Sequence, residues 1–90
     1  MRIDFDPTKD KLNLADHGLS LSFARELAWD EALVRVDERY EYDELRMIGL
    51  VPEGTRLYYV AFVDRGKTRR IISLRQAERR EVKHYVENYP

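Results

Sequence analysis

Ninety residues with a net charge of −1 suffice for one small domain, and its core must be compact because a chain this short leaves much of its surface wet. Hydrophobic residues make up 43% and charged residues 37%, and three Phe, six Tyr and one Trp set the chain apart from disordered sequences. The lack of Cys excludes a disulfide framework and a thiolate zinc site, two His are poor material for a His-based metal site, and no apolar run approaches the roughly 20 residues that span a bilayer.

Met1-Arg2-Ile3-Asp4 leads into polar sequence with no signal-peptide pattern, so the cytoplasm is the expected compartment. Met1 to Phe5 alternates weakly and reads as a short strand. Asp6 suits an N-cap and Pro7 the first helical position, predicting a helix over about 7–17 that Gly18 closes. Lys9, Asn13 and His17 recur at i, i+4 and i+8 and share a face of it. Ser20 or Ser22 can cap a second helix over about 21–29, with Leu21, Ala24, Leu27 and Ala28 as its apolar stripe. Phe23 and Trp29 read as core or interface aromatics.

From Ala32 the period drops to two, and Leu33 to Asp37 reads as a strand. Residues 37–44 form an acidic connection. Leu45 to Val51 is the next strand, ended by a turn over Pro52-Glu53-Gly54-Thr55. Arg56 to Asp64 holds an unbroken apolar and aromatic run, Leu57 to Val63, which predicts a central strand covered on both faces. Arg65-Gly66-Lys67 turns the chain into a strand over 69–74. Gln76 to about Asn88 reads as a helix with Val82, Tyr85, Val86 and Tyr89 in its stripe. The order β-α-α-β-β-β-β-α predicts a single α+β domain over residues 1–90: an antiparallel sheet with two N-terminal helices and one C-terminal helix.

Charge is segregated along the chain. Residues 1–45 carry six basic and twelve acidic side chains, residues 46–90 ten basic and five acidic. Most of the later cations are Arg, which suits bidentate contact with phosphate or carboxylate. They either pair with the acidic first half or face an anionic ligand, nucleic acid first. The chain has no P-loop, dinucleotide fingerprint or metalloprotease helix, and Ser73 lacks a local base that would make it a nucleophile. Acid–base groups plus arginine remain. That set is compatible with RNA cleavage through the 2′-hydroxyl, which needs a base, a cation for the phosphorane and an acid for the leaving 5′ oxygen.

His17 can serve that chemistry or act as a cation at a helix end. Glu44 and Arg46, two apart at a strand's entry, can be base and phosphate clamp or an edge ion pair. Arg70 and Arg75 fall on opposite faces under strict alternation, and serve one site only if the strand ends or bulges before Arg75. Arg75 is expected to open the final helix.

Four pieces, in order, resemble the BrnT family of bacterial type II toxins within the RelE/ParE-like group. The first is Phe5-Asp6-Pro7-x-Lys9-x-x-x-Asn13-Leu14-x-x-His17-Gly18, where the family usually has Trp in place of Phe5. The second is Leu21-Ser22-Phe23-Ala24, and the third is Glu44 and Arg46 followed by Gly49. The fourth is Arg70-Ile71-Ile72-Ser73-x-Arg75-x-Ala77, followed by Glu81-x-x-x-Tyr85. One departure stands out: the family's Lys-His-Gly reads Asp16-His17-Gly18 here, while Lys9 is kept on the same helix.

The resemblance implies a RelE-like fold and a metal-free ribonuclease that arrests translation, with no cofactor. It also implies a co-encoded ribbon-helix-helix antitoxin, a two-plus-two complex with it, and repression of the operon through operator DNA. Site residues carried over are His17, Glu44, Arg46 and Arg75 as catalytic, and Lys9, Arg70 and Tyr85 as RNA-binding. Tyr85 also lies in the last helix's apolar stripe. The competing reading is a non-catalytic antitoxin-binding protein that contributes to operon repression. Surplus apolar residues, Trp29, Tyr58 and Tyr59 among them, are expected to meet the antitoxin together with part of the basic face.

Overall fold

Asp6 and Gly18 bound the first helix by their own chemistry. In the computed structural model, which describes residues 1–39 and 43–89, helix α1 spans Pro7–His17. The Asp6 carboxylate accepts from the Thr8 N–H, and Gly18 ends the helix at φ 70°, a conformation that favours glycine. Strand β1 (Arg2–Phe5) precedes it. Strands β2 (Leu33–Val36), β3 (Arg46–Glu53), β4 (Arg56–Arg65) and β5 (Thr68–Gln76) follow, then helix α2 (Arg79–Asn88). The acidic connection expected over 37–44 includes residues 40–42, which lie outside the described residues.

Among the described residues the strands form one sheet in the order β1-β5-β4-β3-β2, so the apolar run of β4 is central, as its composition predicts. The sheet is mixed, which corrects the antiparallel expectation. Strands β2 to β5 pair antiparallel, but β1 runs parallel to β5. Short turns dictate antiparallel neighbours only for strands they join. A helical segment separates β1 from the meander, and β1 returns to the one side of β5 that the meander leaves open.

The second N-terminal helix is also corrected. Leu21–Glu26 is a 3₁₀ helix, followed by a single 3₁₀ turn at Trp29–Glu31, with Leu27 and Ala28 outside both. In a 3₁₀ helix residues three apart eclipse one another. Leu21, Ala24 and Leu27 have that spacing, and all three are buried. The Asp10 carboxylate fixes this segment to α1 by accepting from the Leu21 N–H at 2.6 Å and the Ser20 hydroxyl at 2.9 Å.

One sheet face carries the core. Val51, Tyr58, Val60, Phe62, Ile71 and Leu74 pack there against Leu21, Ala24 and Leu27. Trp29 meets Phe62 edge-on with ring centroids 5.3 Å apart. Trp29 and Tyr58 are therefore core residues, and the exposed apolar surface lies elsewhere, at Val34, Val36, Val82 and Val86 among others. Gly49 lies under the Trp29–Phe62 pair: a Cβ there would stand 3.2 Å from Val51 Cγ2 and 3.3 Å from Phe62 Cε1. The turn expected over residues 52–55 shrinks to Gly54 and Thr55. Pro52 is tolerated in β3 because it lies beyond the pairing with β2, where its carbonyl accepts from the Ala28 N–H.

Candidate active site

Side chains alternate along a strand, so the sheet face opposite the core collects Arg46, Ile48 and Leu50 from β3 with Tyr59, Ala61 and Val63 from β4. Strand β5 joins them through an irregularity. Ala61 pairs with Ser73 and Phe62 with Ile71, so Ile72 is an extra, bulged residue. The bulge shifts the alternation by one. Arg70, opposite Val63, and Arg75, opposite Tyr59, thus share this face, the condition the sequence set for a common role. Arg75 sits within β5 and does not open the helix, correcting that expectation: β4 is long enough to pair with it, and α2 starts only at Arg79.

Four of the sequence-predicted site residues meet at one end of this face. Lys9 from α1, Glu44, Arg46 from the start of β3 and Arg70 from β5 line a groove of about 260 Å³, with Arg65 and the bulged Ile72. Its arginines are held by carboxylates. Arg65 Nε donates to Glu44 at 2.7 Å, and Arg70 Nη1 to Asp4 at 2.6 Å across the parallel register of β1 and β5. Arg46 Nε lies 3.7 Å from the buried carboxylate of Asp37. So Glu44 and Arg46 do not form an ion pair with each other; each takes a different partner. Hydrogen bonds from Arg65 hold the Glu44 carboxyl below the usual carboxylate range. Hydrogen bonds from Arg39 do the same for Asp37, against the opposing effect of burial.

The other end holds Arg75. Its guanidinium makes two hydrogen bonds to Glu81 of α2, at 2.8 and 2.9 Å, and lies 4.0 Å from the centroid of Tyr59. Burial pushes the Glu81 carboxyl up, and the hydrogen bonds from Arg75 and the Glu78 N–H outweigh it, leaving Glu81 below its usual range. A larger groove of about 840 Å³ runs here between β2, β3 and α2. Tyr85 lies apart from the small groove: its hydroxyl donates to the Glu31 carbonyl at 2.7 Å and its ring stacks on Tyr89. Burial, with Tyr89 and Glu31 nearby, raises its phenol above the ordinary value. His17 stands exposed in the last turn of α1, about 12 Å along the helix from Lys9 at 1.5 Å per residue.

Three residues that matter to this geometry carry no assigned role in the sequence reading. Asn13, buried in α1, donates from Nδ2 to the Leu74 and Leu19 carbonyls and accepts from the Leu74 N–H. It thereby replaces the strand partner that β5 lacks where β1 has ended, and so sets α1 and Lys9 against β5. Its place in the Asn13-Leu14 motif is a signal that could have found it. Asp37 is marked by its position between a strand and Arg39. Asp4 has no local signal, because its partner Arg70 is distant in sequence.

Strands carrying arginines on one face, with a helical lysine beside them, define an α+β domain with a cationic face. Residues 5–81 match the family described as "Ribonuclease toxin, BrnT, of type II toxin-antitoxin system". Among solved structures, the 1.1 Å crystal structure of the Brucella abortus ribonuclease toxin BrnT is similar at a TM-score of 0.67 and 25% identity, covering 88% of this chain and 99% of that one. Comparison with curated proteins gives no match. The chain belongs to the BrnT ribonuclease toxin family of type II toxin–antitoxin systems, and a cognate antitoxin is its partner. Among the described residues no helix is long and apolar enough to cross a membrane.

Proposed function

We propose that the small groove cleaves RNA without a metal ion, in the cytoplasm, and so inhibits translation until a ribbon-helix-helix antitoxin neutralises the toxin. The convergence of Lys9, Glu44, Arg46 and Arg70 on one groove, from four places in the chain, carries this reading. Exposed ion pairs contribute about 0–1 kcal/mol each, so an RNA phosphate competes readily with Glu44 for Arg65 and with Asp4 for Arg70. Losing Arg65 returns Glu44 toward an ordinary carboxyl and makes it a better base. Glu44 then takes the 2′-hydroxyl proton, and the 2′ oxygen attacks phosphorus. Arg46 and Arg70 carry the charge of the phosphorane, and the bond to the 5′ oxygen breaks as an acid protonates that oxygen. His17 is the acid if the strand extends along α1. Arg75, about 13 Å from Arg70 along the sheet, four paired positions on β4, binds the strand further on. The two-plus-two complex and operator repression follow from the same partner and are part of this proposal.

The test is cleavage of end-labelled RNA by the purified toxin in EDTA. Full activity is expected, with products ending in 2′,3′-cyclic phosphate. Arg70→Ala should lose roughly 10²-fold or more, and Arg75→Ala more than Arg80→Ala. His17→Ala should lose about 10²–10⁴-fold as a general acid. A loss of only about 0.3–1 kcal/mol in stability would make it a helix-end cation instead. Growth arrest by the free toxin separates this reading from a non-catalytic repressor.

A further inference from the structure

Among the described residues the sheet has two edge strands, β1 and β2, and three observations describe the β2 edge. First, β2 pairs with β3 on one side only. In this antiparallel register Leu33 and Arg35 turn their backbone groups toward β3, as the continuing bond from the Asp37 N–H to the Arg46 carbonyl indicates. The N–H and C=O groups of Val34 and Val36 therefore point outward with no strand beside them among the described residues. Second, the side chains of Val34 and Val36 are 42% and 37% exposed, which is apolar for an edge that proteins ordinarily blunt with charge or proline. Third, Arg35 projects from the opposite face into the larger groove, with no ion-pair partner among the described residues, and Arg80 and His84 of α2 line the same groove. The acid of that groove, Glu81, is already engaged by Arg75.

We propose that a segment of the cognate antitoxin adds to this edge as an extra strand, with apolar residues alternating with acidic ones. Its apolar side chains lie beside Val34 and Val36, and its carboxylates fall on the groove side toward Arg35, Arg80 and His84. Main-chain bonds to residues 34 and 36 supply the affinity, and the alternation supplies the register. A second copy of this chain fits poorly. Antiparallel pairing of two β2 edges sets Arg35 near Arg35 on the same face, where like charges repel. RNA does not fill the groove: its floor is aliphatic, Leu33, Ile48 and Leu50, and the ring of Tyr59 is occupied by Arg75, so a base finds little to stack on and RNA's contact here is confined to a phosphate on Arg75. The added strand inhibits by closing the groove over Arg75. The inference rests on the existence of the antitoxin and not on which groove cleaves RNA.

Two variants test it. Val34→Pro removes the outward N–H and leaves the β3 ladder intact. Arg35→Glu reverses the charge on the other face. Lys67→Glu, in the β4–β5 turn, controls for a general loss of positive charge. Each full-length toxin is titrated with the purified cognate antitoxin, assayed for RNA cleavage and melted. Both variants should weaken antitoxin binding by roughly tenfold or more, while Lys67→Glu and the cleavage of RNA by free toxin stay unchanged. If Val34→Pro melts early, Arg35→Glu decides alone. Undiminished antitoxin affinity in Arg35→Glu overturns the proposal. So does a loss of RNA cleavage with affinity retained, which would assign the groove to RNA, or a free-toxin dimer that Val34→Pro dissociates, which would assign the edge to a second copy.

Discussion

Asn13 is a polar side chain whose cost of removal can be counted. It satisfies both the N–H and the C=O of Leu74 in a buried setting. Asn13→Ala should lower stability by about 1–3 kcal/mol in urea denaturation, because those groups lose their partner. Cleavage should fall with it, since Lys9 is placed by the same helix. Asp37 gives a pH dependence with a definite sign. Its folded carboxyl titrates below its unfolded value, so its contribution is complete above the ordinary carboxylate range, about pH 4, and is lost as pH falls through the folded pKa. Thermal melts of Asp37→Asn should show lower stability at neutral pH and a flatter acid limb than the parent. A parallel acid limb would mean that another carboxylate controls it. Asp4 shows the limit of reading residues singly: only the parallel pairing of β1 with β5 brings it to Arg70.

At the scale of elements, Gly49 couples β3 to the aromatic layer. A methyl group there must push Val51 or Phe62 aside by a few tenths of an ångström. Gly49→Ala should therefore cost about 1–3 kcal/mol, read as a lowered melting temperature with RNA binding retained. Both caps of α1 and the central place of β4 were legible, because capping and apolar runs are local signals. The 3₁₀ form of Leu21–Glu26 was half legible. The spacing of three was present in Leu21, Ala24 and Leu27, but Ala28 completed an α-helical stripe that outweighed it. The bulge at Ile72 was not legible, since nothing in Ile71-Ile72-Ser73 distinguishes a regular strand from a bulged one. Its effect is to bring Arg70 and Arg75 of β5 to one face. Of the candidate site, Lys9, Glu44, Arg46 and Arg70 line one groove, while Arg75 and Tyr85 are held near α2 and His17 stands apart.

For the whole molecule, the charge segregation of the sequence is partly spent in ion pairs between the halves, Arg46 with Asp37, Arg65 with Glu44 and Arg70 with Asp4. Lys9, Arg46, Arg65 and Arg70 in one groove predict that the logarithm of RNA affinity falls with the logarithm of salt concentration at a slope of about −3, at roughly −0.7 per phosphate of a single strand. Fluorescence anisotropy with a short labelled RNA across a salt series measures it. A slope near zero would mean that these cations stay with their carboxylates when RNA binds. Helix α2 touches the body through few groups, Glu81 on Arg75 and the Tyr85 hydroxyl on Glu31, and Val82 and Val86 stay exposed.

The sequence by itself determined the strands, helices α1 and α2 and their order, the central strand, the set of arginines and the family, because capping, periodicity and motif spacing are written in neighbouring residues. The tertiary structure alone decided three things. The parallel return of β1 delivers Asp4 to Arg70. The bulge turns Arg70 and Arg75 to one face. The choice of ion-pair partners gives Glu44 to Arg65 and sets Arg46 beside Asp37. Each depends on residues far apart in the chain meeting in a particular register, and register is set by packing of the whole sheet, which no local pattern specifies.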